Sequence, residues 1–255
     1  MTSNSGKVEF SGAQGHRLAA RLDMPEQAPR AFAVFAHCFT CSKDTRAAAY
    51  IGAALVAQGL AVLRFDFTGL GGSEGDFANT NFSSNVGDLV AAADWLRREH
   101  RAPQLLVGHS LGGAAVLAAA PRIPEAKAVA TVNAPAEPAH VLHRLAPVRA
   151  EISAQGEAEV QLGGRPFRLK QQFIDDIEGQ KLDTIVAHLG KALMVFHAPL
   201  DQIVGINNAA HLFTTARHPK SFVSLDDADH LLSRKEDALY VGQVLAAWVQ
   251  RYLAP

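Results

Sequence analysis

The chain lacks the usual marks of a nucleic-acid, membrane or metal protein. Its 24 Lys+Arg and 25 Asp+Glu leave a formal net charge of −1. It has no basic run, so nothing electrostatic calls for nucleic acid or an anionic membrane as partner. The opening residues, Met1 to Lys7, have no apolar core of the kind a secretory leader needs. The most apolar window, 47–63, is interrupted by Gln58 and Gly59 and followed by Arg64 and Asp66. It therefore reads as a buried helix and strand rather than a membrane span. Cytoplasm is the expected location. Cysteine is scarce: Cys38 and Cys41 are the two in the chain. Two thiols alone cannot close a zinc site, and a C-x-x-C leaves thioredoxin-like redox chemistry as the competing reading. The glycine-rich stretch 67–75 has neither the Lys-Ser/Thr of a P-loop nor the G-x-G-x-x-G spacing, which sets nucleotide binding aside. No internal repeat or low-complexity linker is visible.

Apolar residue is abundant, at 48% of 255 residues, enough for a large core. Two short strands at 8–10 and 18–23 read as an antiparallel pair. Strand-length apolar runs then recur at 31–36, 60–66, 103–107, 128–133, 192–197 and 221–225. Helical patterns separate them at 45–58, 83–100, 206–217 and 235–253. This alternation demands a mostly parallel sheet, eight strands in all, covered by helices on both faces. Prolines 135, 138 and 147 break the rhythm from 134 to 191. There a hairpin around Gly163-Gly164 and two short helices, 171–177 and 182–189, form an insertion expected to lie as a lid over the C-terminal sheet edge. The rival view is a packed, decorative insertion. One domain is expected over 1–255.

The most informative stretch is Gly108-His109-Ser110-Leu111-Gly112-Gly113. It follows an apolar strand and precedes the helix-forming Ala114-Ala115-Val116-Leu117-Ala118. A strand, G-x-S-x-G and a helix in succession make a nucleophile elbow, a turn so tight that its flanking positions tolerate almost no side chain. Serine is a poor nucleophile at neutral pH and needs a base within reach, which in turn needs an orienting acid. In a parallel sheet these must come from loops at the strands' C-terminal ends. Asp201 follows the strand 192–197, and His230 follows the strand 221–225. Most of the other ten histidines fall on helices, in the insertion, in the early hairpin or inside the elbow, while His37 opens the turn after the strand 31–36 and His197 ends the strand that delivers Asp201; His109 is expected to point away from the serine. Asp226, Asp227 and Asp229 read as turn formers, and Asp66 as a structural acceptor for amides in the glycine loop. Acyl transfer also needs two N–H groups for the oxyanion. Leu111, after the nucleophile, is one. The turn after the strand 31–36 supplies the other, with Phe39 preferred over Thr40. That role, rather than redox chemistry, is assigned to the Cys38–Cys41 segment.

Together, His37-Cys38-Phe39-Thr40, Arg64-Phe65-Asp66-Phe67-x-Gly69-x-Gly71-x-Ser73, the elbow and the loops at Asp201 and His230 resemble the α/β-hydrolase superfamily over nearly the whole chain. More narrowly, His37-Cys38-Phe39-Thr40-Cys41-Ser42-Lys43-Asp44 resembles the hydrolase half of bacterial proteins fused to an OsmC-like peroxidase domain. These 255 residues hold no such second domain, and Cys38 departs from the commoner His-Gly-Phe. The resemblance implies a serine esterase or acyl hydrolase with the triad Ser110, Asp201 and His230, no metal or organic cofactor, and a small-molecule ester as substrate. A serine in the elbow argues against dehalogenase and epoxide-hydrolase chemistry, which needs aspartate there, and against dienelactone hydrolysis, which uses cysteine. Thioesterase, peptidase or lyase action on the same triad, or a non-catalytic binding module, remain the alternatives, because one fold hosts many functions.

Overall fold

A computed structural model describes residues 4–162 and 164–253. Gly163, expected in the hairpin turn, and Met1–Ser3, part of the opening segment, lie outside the described residues. Eight strands form the main sheet: β1 (Asn4–Ser11), β2 (Arg17–Met24), β3 (Ala31–Ala36), β4 (Leu60–Phe65), β5 (Leu105–His109), β6 (Ala128–Val132), β9 (Ala192–His197) and β10 (Lys220–Ser224). Their spatial order is β1-β2-β4-β3-β5-β6-β9-β10. The first two pair antiparallel with each other and β2 pairs antiparallel with β4, while β4, β3, β5, β6, β9 and β10 pair in parallel.

The period of two along each central strand divides the core. In β3, Phe32, Val34 and Ala36 enter one apolar layer and Ala31, Ala33 and Phe35 the other. All six are buried, which is why the run shows no polar alternation. One layer packs under α2 (Phe82–Glu99) and α3 (Leu111–Ala119), the other under α1 (Arg46–Ala57) and α8 (Lys235–Val249). The caps follow local chemistry. Thr45 accepts from the Ala48 amide at the start of α1, and Asn81 with Ser84 forms a reciprocal capping box on α2.

The insertion between β6 and β9 is richer than expected. Besides the hairpin β7 (Glu157–Leu162) and β8 (Arg165–Lys170) and the short helices α5 (Gln171–Glu178) and α6 (Leu182–Ala187), it holds a 3-10 turn, Pro138–Leu145, running into α4 (Ala146–Gln155). Pro138 and Pro147, rather than breaking helical structure, sit in the first turn of these two segments, where a missing N–H costs nothing. The insertion is firmly seated, with Ile152, Leu169, Phe173, Ile174 and Ile177 buried in the same layer as α2 and α3. The last helix of the fold, α8, stops at Val249 rather than 253, and α7 (Asn207–Thr215) is shorter than its pattern. Among the described residues no helix is long and apolar enough to cross a membrane.

Candidate active site

The elbow forms as its sequence requires. Ser110 stands between β5 and α3 at φ 55°, ψ −128°, a conformation that side chains rarely adopt. A methyl on Gly108 would lie 2.2 Å from the Gly112 carbonyl oxygen, and one on Gly112 would lie 2.4 Å from the His37 oxygen. Both glycines are therefore steric necessities. The turn is fixed by Ser110 N–H donating to Val132 O (2.9 Å) and Gly113 N–H to Ser110 O (2.8 Å).

Three side chains from loops far apart in sequence meet here. Ser110 Oγ lies 3.0 Å from His230 Nε2, and His230 Nδ1 lies 2.7 Å from Asp201 Oδ2. The other Asp201 oxygen accepts the amides of Ile203 (2.8 Å) and Val204 (3.0 Å). Burial pushes the Asp201 carboxyl up, but the bond from His230 and these two amides together hold it below the ordinary carboxylate value. It stays ionised at neutral pH and fixes the imidazole with Nδ1 protonated and Nε2 facing the serine. Ser110 and His230 are each 9% exposed, and that exposure opens onto a cavity of about 450 Å³. Phe39, Leu111, Val141, Leu162 and Leu231 give the cavity apolar walls, with Arg144 and Arg165 among the insertion residues lining it. A wider groove of about 620 Å³, lined by Glu137, His143 and His211 among others, does not include Ser110.

Phe39 and Leu111 both line the cavity beside Ser110. Among the described residues neither backbone N–H has a hydrogen-bond partner; for Leu111 this is the ordinary lot of a first helical residue. The Phe39 ring packs against Phe77 and Phe173, at 5.6 and 5.4 Å between centroids, which ties this turn to the insertion. The Cys38–Cys41 segment differs from the expectation of a small residue in the turn, because the two cysteines are joined in a disulfide. Thr40, between them, has φ +62°.

Several supporting residues escaped sequence reading. Asn133, which the sequence marks only as a strand end, sits at φ 48° and bridges the loops that carry Asp201 and His230. Its Nδ2 donates to His230 O (3.0 Å) and its Oδ1 accepts the Ala198 amide (2.9 Å). His109 turns toward the His230 backbone rather than toward the serine, donating from Nε2 to His230 O at 2.7 Å. His197 donates from Nε2 to Val204 O at 2.8 Å. Arg165, on β8, donates to Thr40 O. An asparagine or histidine at the C-terminal end of a buried strand was the available signal. Asp66 does what was expected of it, accepting from Gly72 N–H (2.9 Å), and also binds Lys43 through its amide and its ammonium. Asp229 accepts from Ser233 N–H and Asp227 pairs with Arg234, as turn-fixing residues do.

Comparison with known proteins agrees with this architecture. The family model described as "Serine aminopeptidase, S33" matches residues 27–163, more than half of the chain. The crystal structure of an esterase domain from a Rhodothermus marinus protein is 51% identical, covers 98% of this chain and 100% of that one, and superposes with a TM-score of 0.80. Est1E from Butyrivibrio proteoclasticus, solved with ferulic acid, shares the fold at 20% identity, with 97% and 100% coverage and a TM-score of 0.79. The mouse mitochondrial palmitoyl-protein thioesterase ABHD10 is 27% identical over 187 residues, which are 70% of this chain and 62% of the mouse protein, so the match spans less than two thirds of that relative. The chain belongs to the serine aminopeptidase S33 family of α/β-hydrolases.

Proposed function

We propose that this protein hydrolyses carboxylic esters of small molecules through a covalent acyl-enzyme. One observation carries the reading: the unbroken chain Asp201–His230–Ser110, ending at the floor of an apolar-walled cavity. Ser110 Oγ attacks the ester carbonyl while His230 Nε2 takes its proton. Asp201 stabilises the imidazolium that results. His230 then gives the proton to the leaving alcohol, and a water activated by the same nitrogen hydrolyses the acyl-enzyme. The Leu111 and Phe39 amides hold the oxyanion, helped by the N-terminus of α3. The reaction so written uses no metal and no organic cofactor. The insertion acts as the lid of this cavity, to which it contributes Val141, Arg144, Leu162 and Arg165, and the cytoplasm is the proposed location.

The 51% identity to an esterase domain supports an ester over an amide. A thioester is the second reading, favoured by the relationship to the mouse thioesterase; the acyl-enzyme chemistry is the same and only the leaving group differs. Turnover of p-nitrophenyl esters from acetate through laurate, beside the matching acyl thioesters, tests both. Wild type is expected to release p-nitrophenol, and Ser110→Ala to lose at least about a thousandfold in kcat. A folded wild type that hydrolyses none of the esters sinks the proposal.

A further inference from the structure

Cys38 and Cys41 lie outside the Asp201–His230–Ser110 chain yet border it on the oxyanion side. Their disulfide spans a Cα–Cα distance of 5.3 Å and closes a ring around Phe39 and Thr40. The Cys38–Phe39 peptide, which carries the Phe39 N–H, is one of three peptide units in that ring. Within it, Cys41 N–H donates to Cys38 O (3.1 Å). Thr40 is β-branched and in the left-handed region, a strained combination that persists only where surrounding structure enforces it. The contacts that hold this residue include the disulfide, the Arg165 guanidinium on Thr40 O, and Thr40 Oγ1 donating to Phe39 O (2.6 Å). Cys38 is buried, whereas Cys41 is partly exposed and both line the cavity holding Ser110. The route that admits substrate therefore also admits a small dithiol.

We propose that Cys38–Cys41 is a reversible thiol–disulfide site that sets the position of the Phe39 N–H, so that ester hydrolysis runs fast in the oxidised protein and slowly in the reduced one. The proposal rests on the ester-hydrolase reading and on Phe39 as oxyanion donor. The switching reactant is a dithiol. One of its thiolates attacks Cys41 Sγ, the S–S bond breaks, and the electron pair leaves on Cys38 Sγ, which takes up a proton. The second thiolate then attacks the reductant's own sulfur in the mixed disulfide, releasing Cys41 as a thiolate that is protonated in turn. The protein gains two electrons and two protons, and the dithiol becomes a cyclic disulfide. A small-molecule disulfide such as oxidised glutathione runs the exchange backwards. With the ring open, Thr40 is free to leave its strained conformation and the adjoining peptides turn with it. The donor is then no longer aimed where the oxyanion forms. Such a loss appears in kcat, because the oxyanion exists in the transition state and not in the bound ester.

The test compares one protein in two states. Purified enzyme is oxidised with glutathione disulfide or reduced with dithiothreitol, and the state is counted by mass after iodoacetamide, with two adducts marking the reduced form. Hydrolysis of p-nitrophenyl butyrate is measured in each, alongside the double variant Cys38→Ser/Cys41→Ser. On reduction kcat is expected to fall by about ten- to a hundredfold with KM changed less than about twofold. Reoxidation should restore it, and the double variant should match the reduced enzyme and ignore dithiothreitol. Equal kcat in the two fully titrated states would overturn the proposal and leave the ester-hydrolase reading standing, since the disulfide would then be a structural staple alone. A disulfide that resists dithiothreitol until the protein unfolds would overturn it as well. Absence of turnover in both states would remove the ester-hydrolase reading and this proposal with it.

Discussion

At the scale of single residues, the candidate site depends on a division of labour within one carboxylate. Asp201 uses one oxygen to accept from His230 and the other to accept two backbone amides. An amide in its place keeps the shape but brings an NH2 group. With Oδ1 pinned to the two N–H donors, that NH2 faces His230 Nδ1 and forces the imidazole into the tautomer with its proton on Nε2, pointing at the serine. Asp201→Asn is therefore expected to lower kcat by about a thousand- to ten-thousandfold with little change in KM or thermal midpoint, measured on the p-nitrophenyl ester that wild type turns over best. A comparable loss in KM alone would mean that Asp201 holds substrate instead. Ser110, Asp201 and His230 were legible in sequence because each follows a strand whose apolar run is unmistakable, in an order that leaves few competitors. Asn133 was not. Its role consists of bonds to two loops, to Ala198 in one and to Asp229 and His230 in the other, and no spacing rule relates residue 133 to residue 230. Asn133→Leu should accordingly reduce kcat by about tenfold or more through loss of loop placement, since the buried Ala198 amide loses its acceptor and the His230 carbonyl is left to His109 alone, with Ser110 still able to react with an organophosphonate.

At the scale of elements, the elbow and the oxyanion turn are one mechanical unit. Gly112, in the first turn of α3, touches the backbone oxygens of Ala36 and His37, where β3 ends and the oxyanion turn begins. The Gly112→Ala methyl has no flexible neighbour to displace, only those two carbonyls. It must push α3 away from the sheet or drag the 37–41 turn with it. Overpacking of this kind costs about 1–3 kcal/mol. The expected result is a lower unfolding midpoint together with a kcat loss that exceeds what the stability change explains, read from thermal melts and initial rates. An unchanged kcat in a destabilised variant would separate the two elements. The same coupling explains which elements escaped prediction. Core strands and helices announce themselves by period, whereas α4 carries a single buried residue, Ile152, and so shows no apolar stripe. The C-x-x-C spacing is compatible with the disulfide, but the same segment also fits the oxyanion turn, and the sequence reading assigns it that role alone.

At the scale of the whole molecule, the site is built on neutral histidines, and that choice fixes the response to acid. His37, His109 and His197 are buried, and burial is the leading cause that lowers the pKa of each, that of His109 to about 4. Each donates one ring N–H to a backbone carbonyl, of Cys38, His230 and Val204 respectively. Those carbonyls belong to the loops that carry Phe39, His230 and Asp201. In the unfolded chain a histidine takes up its proton near the usual 6.5, whereas folded His109 does so only near 4. Between these values the unfolded state holds the extra proton, so stability is full above about pH 6.5 and drains away as pH falls toward 4. Asp201, held below its ordinary value, withdraws its contribution only below that window, as pH falls through the depressed value. Asp88, raised by burial although Thr68 and Ala13 bond to it, works the other way and recovers part of the loss as it protonates. Urea unfolding measured from pH 7.5 to 4.5 should therefore show the unfolding free energy falling with acid. One fully mismatched histidine accounts for about 1.4 kcal/mol per pH unit. The variant His109→Gln keeps a side-chain donor near His230 O and removes the titration, so its slope should be shallower by up to that amount. A slope identical to wild type would mean that His109 is protonated in the folded protein, and that the base loop rests on a charge rather than on a neutral hydrogen bond.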